Sequence, residues 1–300
     1  MVCGTKSFAL AFGVGGARAL AHVAVVEALD ELGVRPTRIA GSSFGALIGA
    51  AYACGMTGRA IRRHVIAHAH DRGAIYSRLV ASRAAPLAQW LSAPLGNPML
   101  LDAAKFYGAF LPEEVPDDFA ALKIPLKVIA TDLNARREVI LESGSLRTAV
   151  AASMAIPGLV RPVEIGGRVL VDGAAVNPLP FDCLRGLADV VVAVDCAGAP
   201  AETARGRRPA AAGMERSAPG EERSAVPDPW EAMFTTLSIM GDAIVAEKLK
   251  SGGPDLVIRP NVGIFRLLDF FQASAILRAA EPVKADVKRL LTTLLGLEPA

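Results

Sequence analysis

Two short apolar segments, each followed by a glycine-rich turn and a helical pattern, constrain the fold of this 300-residue chain most strongly. The first unit joins residues 7–12 to a helical pattern over 19–32. The second joins residues 37–40 to a small-residue helix predicted over 44–54. Two successive strand-turn-helix units predict an α/β fold of three layers with a mostly parallel sheet.

The turn of the second unit is a G-x-S-x-G pentapeptide, which runs from Gly41 to Gly45 and is centred on Ser43. A strand-to-helix turn of this kind is strained and presents its central serine at the N-terminus of the helix. Ser43 is therefore the first candidate nucleophile. The alternative is a tight glycine/serine turn without a catalytic role.

The histidines exclude the usual base for such a serine. The chain has four, His22, His64, His68 and His70, and none follows residue 70. An α/β-hydrolase triad places its acid and then its histidine after the serine, which leaves no suitable acid between Ser43 and these histidines. Because no glutamate separates His64 from His68 as in H-E-x-x-H, they are interpreted as the polar face of a helix, and no metal is expected.

A carboxylate is the remaining candidate base. Asp172 ends a predicted strand and precedes two small residues, Gly173 and Ala174, where a serine from another loop can approach. A turn-initiating Asp-Gly pair is the alternative interpretation. Asp132 and Asp195 also end predicted strands and stand as further candidates.

The glycine loop of the first unit offers donors for an anion. Consecutive backbone N–H groups at the start of a helix, here from Gly13 through Gly15 and Gly16, suit a negative charge, and Arg18 adds a cation. A dinucleotide fingerprint would require glycine at position 18. An oxyanion site is therefore favoured, and no cofactor is expected.

The composition constrains the class of protein and its location in the cell. The 52% hydrophobic content supports a sizeable core, and a net charge of +2 gives no general footprint for nucleic acid. The four cysteines lack C-x-x-C spacing, and residues 1–6 do not resemble a signal peptide. No apolar run reaches the length of a membrane span. We therefore predict a cytoplasmic protein, with a peripheral membrane location left open.

The chain is predicted to form a single domain over 1–300. Its core covers 7–197 and includes a helical cap over 58–120, where prolines break the pattern. Residues 198–229 are rich in Ala, Gly, Pro and Arg and are predicted to be a flexible insert, followed by a completing part over 230–300. Further strands are predicted at 126–130, 138–141, 169–172, 190–195 and 255–259, and further helices at 230–250 and 273–295.

Together these features resemble the patatin-like phospholipase family. Residues 10–22 are similar to its glycine-rich oxyanion motif, 41–45 to its nucleophile elbow and 172–174 to its D-G-[GA] motif. Further similarity runs through 130–133, 149–162 and 177–180. The resemblance implies a three-layer patatin-like fold, with helices on both faces of the sheet and a helical cap.

The resemblance also implies a serine–aspartate dyad acting on lipid carboxylic esters, of the phospholipid or lysophospholipid class. Ser43 would attack the ester and Asp172 would take its proton and later activate water. The N–H groups around Gly15 and Gly16 would hold the oxyanion. The implied partner is a lipid ester substrate, with a membrane surface as one setting.

Two residues depart from the family pattern, Val14 and Ala19, where the family has glycine. They flank the inferred donors and motivate a second hypothesis, a lipid-binding or regulatory protein of the same fold with little hydrolytic activity. An acyltransferase, a thioesterase or a polyester hydrolase also stays open.

Overall fold

The structure is a computed structural model that describes residues 5–70, 111–197 and 229–297. These residues contain an eight-stranded sheet with the order β5-β6-β3-β2-β1-β7-β8, and β4 pairs with β3. Its strands are Phe8–Phe12 (β1), Arg38–Ser42 (β2), Leu126–Asp132 (β3), Arg137–Leu141 (β4), Val163–Ile165 (β5), Arg168–Asp172 (β6), Val190–Val194 (β7) and Leu256–Ile258 (β8).

Five strands form the parallel part of the sheet. Strands β3, β2, β1, β7 and β8 pair parallel in succession, whereas β4, β6 and β5 join antiparallel at one edge. The apolar run of β7 lies between β1 and β8 and is wholly buried, as expected for a strand covered on both faces. The prediction of a mostly parallel α/β sheet is confirmed.

Helices cover both faces of this sheet. The described residues form the helices His22–Leu32 (α1), Phe44–Ala53 (α2), Gly58–His70 (α3), Leu146–Ser153 (α4), Pro229–Lys250 (α5), Ala273–Ala280 (α6) and Val283–Leu295 (α7). Alternation along β1 separates the faces, since Leu10 and Phe12 enter the large core with α1, α2 and α7. Ala9 and Ala11 face the opposite way, into a smaller core that includes Val245 of α5.

Several elements differ from the sequence-based expectations. The helix predicted over 273–295 is two helices, α6 and α7, that meet at Glu281 and Pro282, where proline supplies no N–H to continue α6. The helix predicted over 19–32 begins at His22, after a 3-10 turn over Gly16–Ala21. Helix α4 and strand β5 had no predicted counterpart.

Two predicted regions lie largely outside the described residues. Most of the predicted cap, residues 71–110, belongs to this part, and so do residues 198–228 of the insert predicted over 198–229. From the range assigned to the cap, helix α3 is described, and it packs against α1. None of the helices in the described ranges is both long and apolar enough to cross a membrane.

Candidate active site

Ser43 lies between β2 and α2 in a backbone conformation that L-residues rarely adopt. Its φ is 55° and its ψ is −130°, and Arg136 is the other described non-glycine residue with a positive φ. Its side chain is buried, and its N–H donates to Ser153 Oγ at 2.8 Å. A strained residue held by its surroundings is typical of a functional site.

The two glycines of the pentapeptide provide the space that this turn needs. A Cβ on Gly41 would lie 2.6 Å from the Cα of Ala46, in the first turn of α2. A Cβ on Gly45 would overlap the carbonyl oxygen of Phe12, at the end of β1. Glycine at both positions therefore allows α2 to begin directly against β1 and β2, which places Ser43 at the carboxyl edge of the parallel strands.

Asp172 lies at the end of β6, beside β3, and reaches Ser43 from the antiparallel edge of the sheet. Its Oδ2 accepts a hydrogen bond from Ser43 Oγ at 2.7 Å, and its Oδ1 accepts from the Ala174 N–H at 2.8 Å. Burial raises the pKa of Asp172 to about 6, although these two hydrogen bonds act in the opposite direction. The structure thus brings together two residues that are 129 positions apart in the sequence.

Gly173 allows this close approach. A Cβ at this position would lie 2.5 Å from both the carbonyl oxygen of Ile129 and Ser42 Oγ. The backbone of Asp172 is also fixed, because its carbonyl accepts from Thr131 Oγ1 at 2.8 Å. Glycine after the aspartate is therefore required by packing.

Ser153 is a residue of the site to which the sequence had assigned no role. Its hydroxyl donates to the Ile129 carbonyl at 2.5 Å and accepts from the Ser43 N–H at 2.8 Å, so it connects β3 to the serine turn. The similarity over residues 149–162 was a signal, but it did not single out this serine. Ser153 holds the backbone of Ser43 in place.

The glycine loop runs beside the serine turn, since a Cβ on Gly45 would lie 2.5 Å from the carbonyl oxygen of Gly13. Four of its amides are engaged. The Val14 N–H donates to the Pro178 carbonyl at 2.9 Å and the Ala17 N–H to the Leu267 carbonyl at 2.7 Å, and the N–H groups of Gly13 and Arg18 donate to the carbonyls of Val194 and Gly15. Among the described residues, nothing accepts from the intervening amides of residues 15 and 16.

The conformation of this loop explains which of its residues must be glycine. Gly16 has a φ of 53°, and a Cβ there would overlap the carbonyl of Leu267. Neither Val14 nor Ala19 has a positive φ. The two departures from the family pattern therefore occupy backbone conformations that any residue adopts.

The Arg18 side chain contacts helix α5. Its side chain is buried, and Nη2 donates to Ser238 Oγ at 3.2 Å. Burial lowers the pKa of Arg18, while the negative charges of Asp242 and Asp195 oppose this effect. The cation predicted for the oxyanion site thus links the glycine loop to α5.

The other candidate acids have different partners. Asp132 Oδ1 accepts from the N–H groups of Asn134 and Ala135 at 3.0 and 2.8 Å and closes a turn between β3 and β4. Asp195 Oδ2 accepts from Arg259 Nε at 3.1 Å. In the described contacts, neither carboxylate replaces Asp172 as the partner of Ser43.

The described histidines also lie in other surroundings. His22 is fully buried, its Nε2 is 2.9 Å from the carbonyl oxygen of Gly13, and its Nδ1 is 3.5 Å from Cys196 Sγ. Burial lowers the pKa of His22 to about 4, so the ring is neutral at pH 7. The rings of His64 and His68 lie 4.0 Å apart on α3. His22 is a packed residue that supports the glycine loop.

The pattern of the patatin-like phospholipase family matches residues 10–184. An uncharacterized NTE family protein of Mycobacterium bovis is 36% identical over 202 residues, which cover 67% of this chain and 52% of that protein. The patatin-like phospholipase domain-containing protein 6 of Mus musculus is 27% identical over 275 residues, which cover 88% of this chain and 19% of that protein.

The solved structure of VipD from Legionella pneumophila aligns with 95% of this chain and 67% of that chain, at 15% identity and a TM-score of 0.46. The chain spans about half the length of this Mycobacterium bovis protein and of two Mycobacterium tuberculosis proteins that it matches at the same identity. The family pattern covers more than half of this chain and includes the serine turn and Asp172. The chain therefore belongs to the patatin-like phospholipase family.

Proposed function

We propose that this protein is a serine acyl hydrolase that cleaves lipid carboxylic esters with Ser43 and Asp172. The observation that carries the proposal is the 2.7 Å hydrogen bond from Ser43 Oγ to Asp172 Oδ2. Family membership supports a lipid substrate, and the arrangement of acid, serine and free amides supports acyl transfer.

In the first step Ser43 Oγ attacks the ester carbonyl and its proton passes to Asp172 Oδ2. A carboxylate accepts this proton best when its pKa lies near the working pH, and the raised pKa of about 6 meets this condition better than an ordinary aspartate. The N-terminus of α2 points its positive end at the forming alkoxide and favours it. The alcohol then leaves with the proton from Asp172, and the acyl group stays on Ser43.

In the second step Asp172 removes a proton from water, which attacks the acyl-serine; the acyl–Oγ bond then breaks, Asp172 returns the proton to Ser43 Oγ, and the fatty acid is released. Both steps pass through a tetrahedral oxyanion. The free N–H groups of Gly15 and Gly16 supply the donors that this charge needs, each worth several kcal/mol in comparable sites. An alcohol in place of water would make the same site an acyltransferase.

The test is a hydrolysis screen with p-nitrophenyl esters of increasing chain length and with lysophospholipid and phospholipid vesicles. The wild type is expected to release fatty acid from at least one lipid, and Ser43→Ala is expected to release none. Adding glycerol as a competing acceptor separates hydrolysis from transfer, because transfer yields an acylglycerol. A wild type that turns over none of these esters would overturn the proposal and favour the lipid-binding alternative.

A further inference from the structure

The segment over residues 177–179 lies between the two halves of the proposed site. The Asn177 N–H donates to the Gly173 carbonyl at 2.9 Å, on the turn that carries the proposed base. The next residue, Pro178, accepts from the Val14 N–H at 2.9 Å, in the glycine loop. One short segment is therefore hydrogen-bonded both to the turn of the base and to the loop of the oxyanion donors.

Lys248, near the end of α5, holds this segment from the outside. Its Nζ lies 2.5 Å from Asn177 Oδ1, 2.5 Å from Asp182 Oδ1 and 3.3 Å from the Leu179 carbonyl oxygen. An ammonium has three donors, so these three acceptors satisfy it completely. All three belong to residues 177–182, which makes Lys248 a single anchor for this stretch of chain.

The Asn177 side chain completes the anchor. It is 1% exposed, and its Nδ2 donates to Asp182 Oδ1 at 3.1 Å and to Glu138 Oε2 at 3.3 Å. The amide thus has carboxylates at its nitrogen and the ammonium of Lys248 at its oxygen. Removing that ammonium would leave a buried amide oxygen without its donor, which favours a rearrangement of the segment.

The same helix is tied to the glycine loop at a second point. Arg18 Nη2 donates to Ser238 Oγ, ten positions before Lys248 on α5. Gly241, which lies between Ser238 and Lys248 on α5, packs against Pro178. A Cβ on Gly241 would lie 3.8 Å from the Cβ of Pro178, an ordinary van der Waals contact. Helix α5 therefore contacts both the oxyanion side and the base side of the site.

We infer that Lys248 is a positioning residue: by anchoring residues 177–179 it fixes the turn of Asp172 relative to the glycine loop. This inference rests on the proposed function of Ser43 and Asp172. Lys248 acts through Asn177 and does not contact the reacting atoms. Its loss is therefore expected to slow the chemical steps more than it weakens substrate binding.

The experiment compares Lys248→Met with Lys250→Met, two residues further along. Lys250 pairs with Glu247 on the surface, and its side chain is 72% exposed, so it is a matched control. Ester turnover, its pH profile and the rate of fluorophosphonate labelling of Ser43 are measured at a temperature where circular dichroism shows each variant folded. Lys248→Gln replaces Lys248→Met if the latter does not fold.

We expect Lys248→Met to lower kcat by about 10- to 100-fold, the effect of a small misplacement of catalytic groups, with KM little changed. The midpoint of its pH profile should move, because the surroundings of Asp172 change, and Lys250→Met should behave as wild type. A folded Lys248 variant with wild-type kcat, labelling rate and pH midpoint would overturn the inference and leave the proposed function standing. A wild type that neither labels nor hydrolyses would instead overturn the proposed function and this inference with it.

Discussion

Ser43 Oγ and Asp172 Oδ2 are joined by a 2.7 Å hydrogen bond within a buried part of the carboxyl edge of the sheet. Ser43 comes from the parallel part of the sheet and Asp172 from the antiparallel edge, where β6 pairs with β3. The relative position of the two side chains therefore depends on the packing of the whole sheet. Two described residues support it directly. Ser153 accepts a hydrogen bond from the Ser43 N–H, and Gly173, which lacks a side chain, lets the turn of Asp172 approach Ser42.

The pH dependence of turnover follows from the pKa of Asp172. As a base it must be deprotonated, and burial raises its pKa to about 6. We expect kcat/KM to reach a plateau above pH 7 and to fall about tenfold per pH unit well below pH 6. Stopped assays with a pH-insensitive ester measure this profile. A plateau that extends down to pH 4 would contradict the role of Asp172 as base.

The same carboxylate should reduce stability at neutral pH. Its folded-state pKa of about 6 lies above the ordinary value of 3.8, so its cost is absent below about pH 4 and complete above pH 6. Asp172→Asn should therefore gain stability over the wild type as pH rises from 4 to 7, on the order of 3 kcal/mol for a shift of about two pH units. Urea unfolding of both proteins at pH 4, 5.5 and 7 measures the difference in their free energies of unfolding. This difference should shift in favour of Asp172→Asn as the pH rises, and a difference that is constant with pH would contradict the prediction.

Backbone strain at Ser43 gives a prediction that does not involve its hydroxyl. Ser43→Ala and Ser43→Gly both remove Oγ, but only glycine adopts a φ of 55° with a ψ of −130° without strain. We expect the glycine variant to be more stable than the alanine variant by about 1 kcal/mol or more. Thermal unfolding of the pair tests this, and an alanine variant of equal or greater stability would show that the turn is not strained.

Substitutions at Val14 and Ala19 test whether the site is efficient or naturally impaired. Because neither has a positive φ, glycine is not needed at either position for the loop conformation. We expect Val14→Gly with Ala19→Gly to leave ester turnover nearly unchanged and to lower stability by about 1–2 kcal/mol, from the backbone freedom that two glycines add. A large gain in turnover would instead support the hypothesis of a naturally impaired, regulatory protein.

The strand-turn-helix units and the candidate pair of Ser43 and Asp172 were predictable from local patterns. Glycines flanked the serine, an aspartate ended a strand, and the histidines were all too early in the chain for a triad. Each of these features is local or depends only on chain order. The structure brings Ser43 and Asp172 within hydrogen-bond distance, and their catalytic roles remain proposals.

The residues that position the site were not predictable in the same way. Ser153 reaches Ser43 across 110 positions, and Lys248 reaches Asn177 across 71. A serine within an alanine-rich helix and a lysine near a helix end have no distinctive local pattern, so their partners emerge only from tertiary packing. The break between α6 and α7 was missed for a different reason, because the apolar periodicity continues through Pro282.

The central claim is that Ser43 is a nucleophile activated by Asp172, and covalent labelling tests it most directly. Purified wild type, Ser43→Ala and Asp172→Asn are treated with a fluorophosphonate probe, and intact mass and peptide mapping follow the adduct over time. We predict one adduct on the Ser43 peptide of the wild type, none for Ser43→Ala, and labelling of Asp172→Asn slowed by at least ~10²-fold. Equal labelling of wild type and Ser43→Ala, or an unchanged rate for Asp172→Asn, would contradict it.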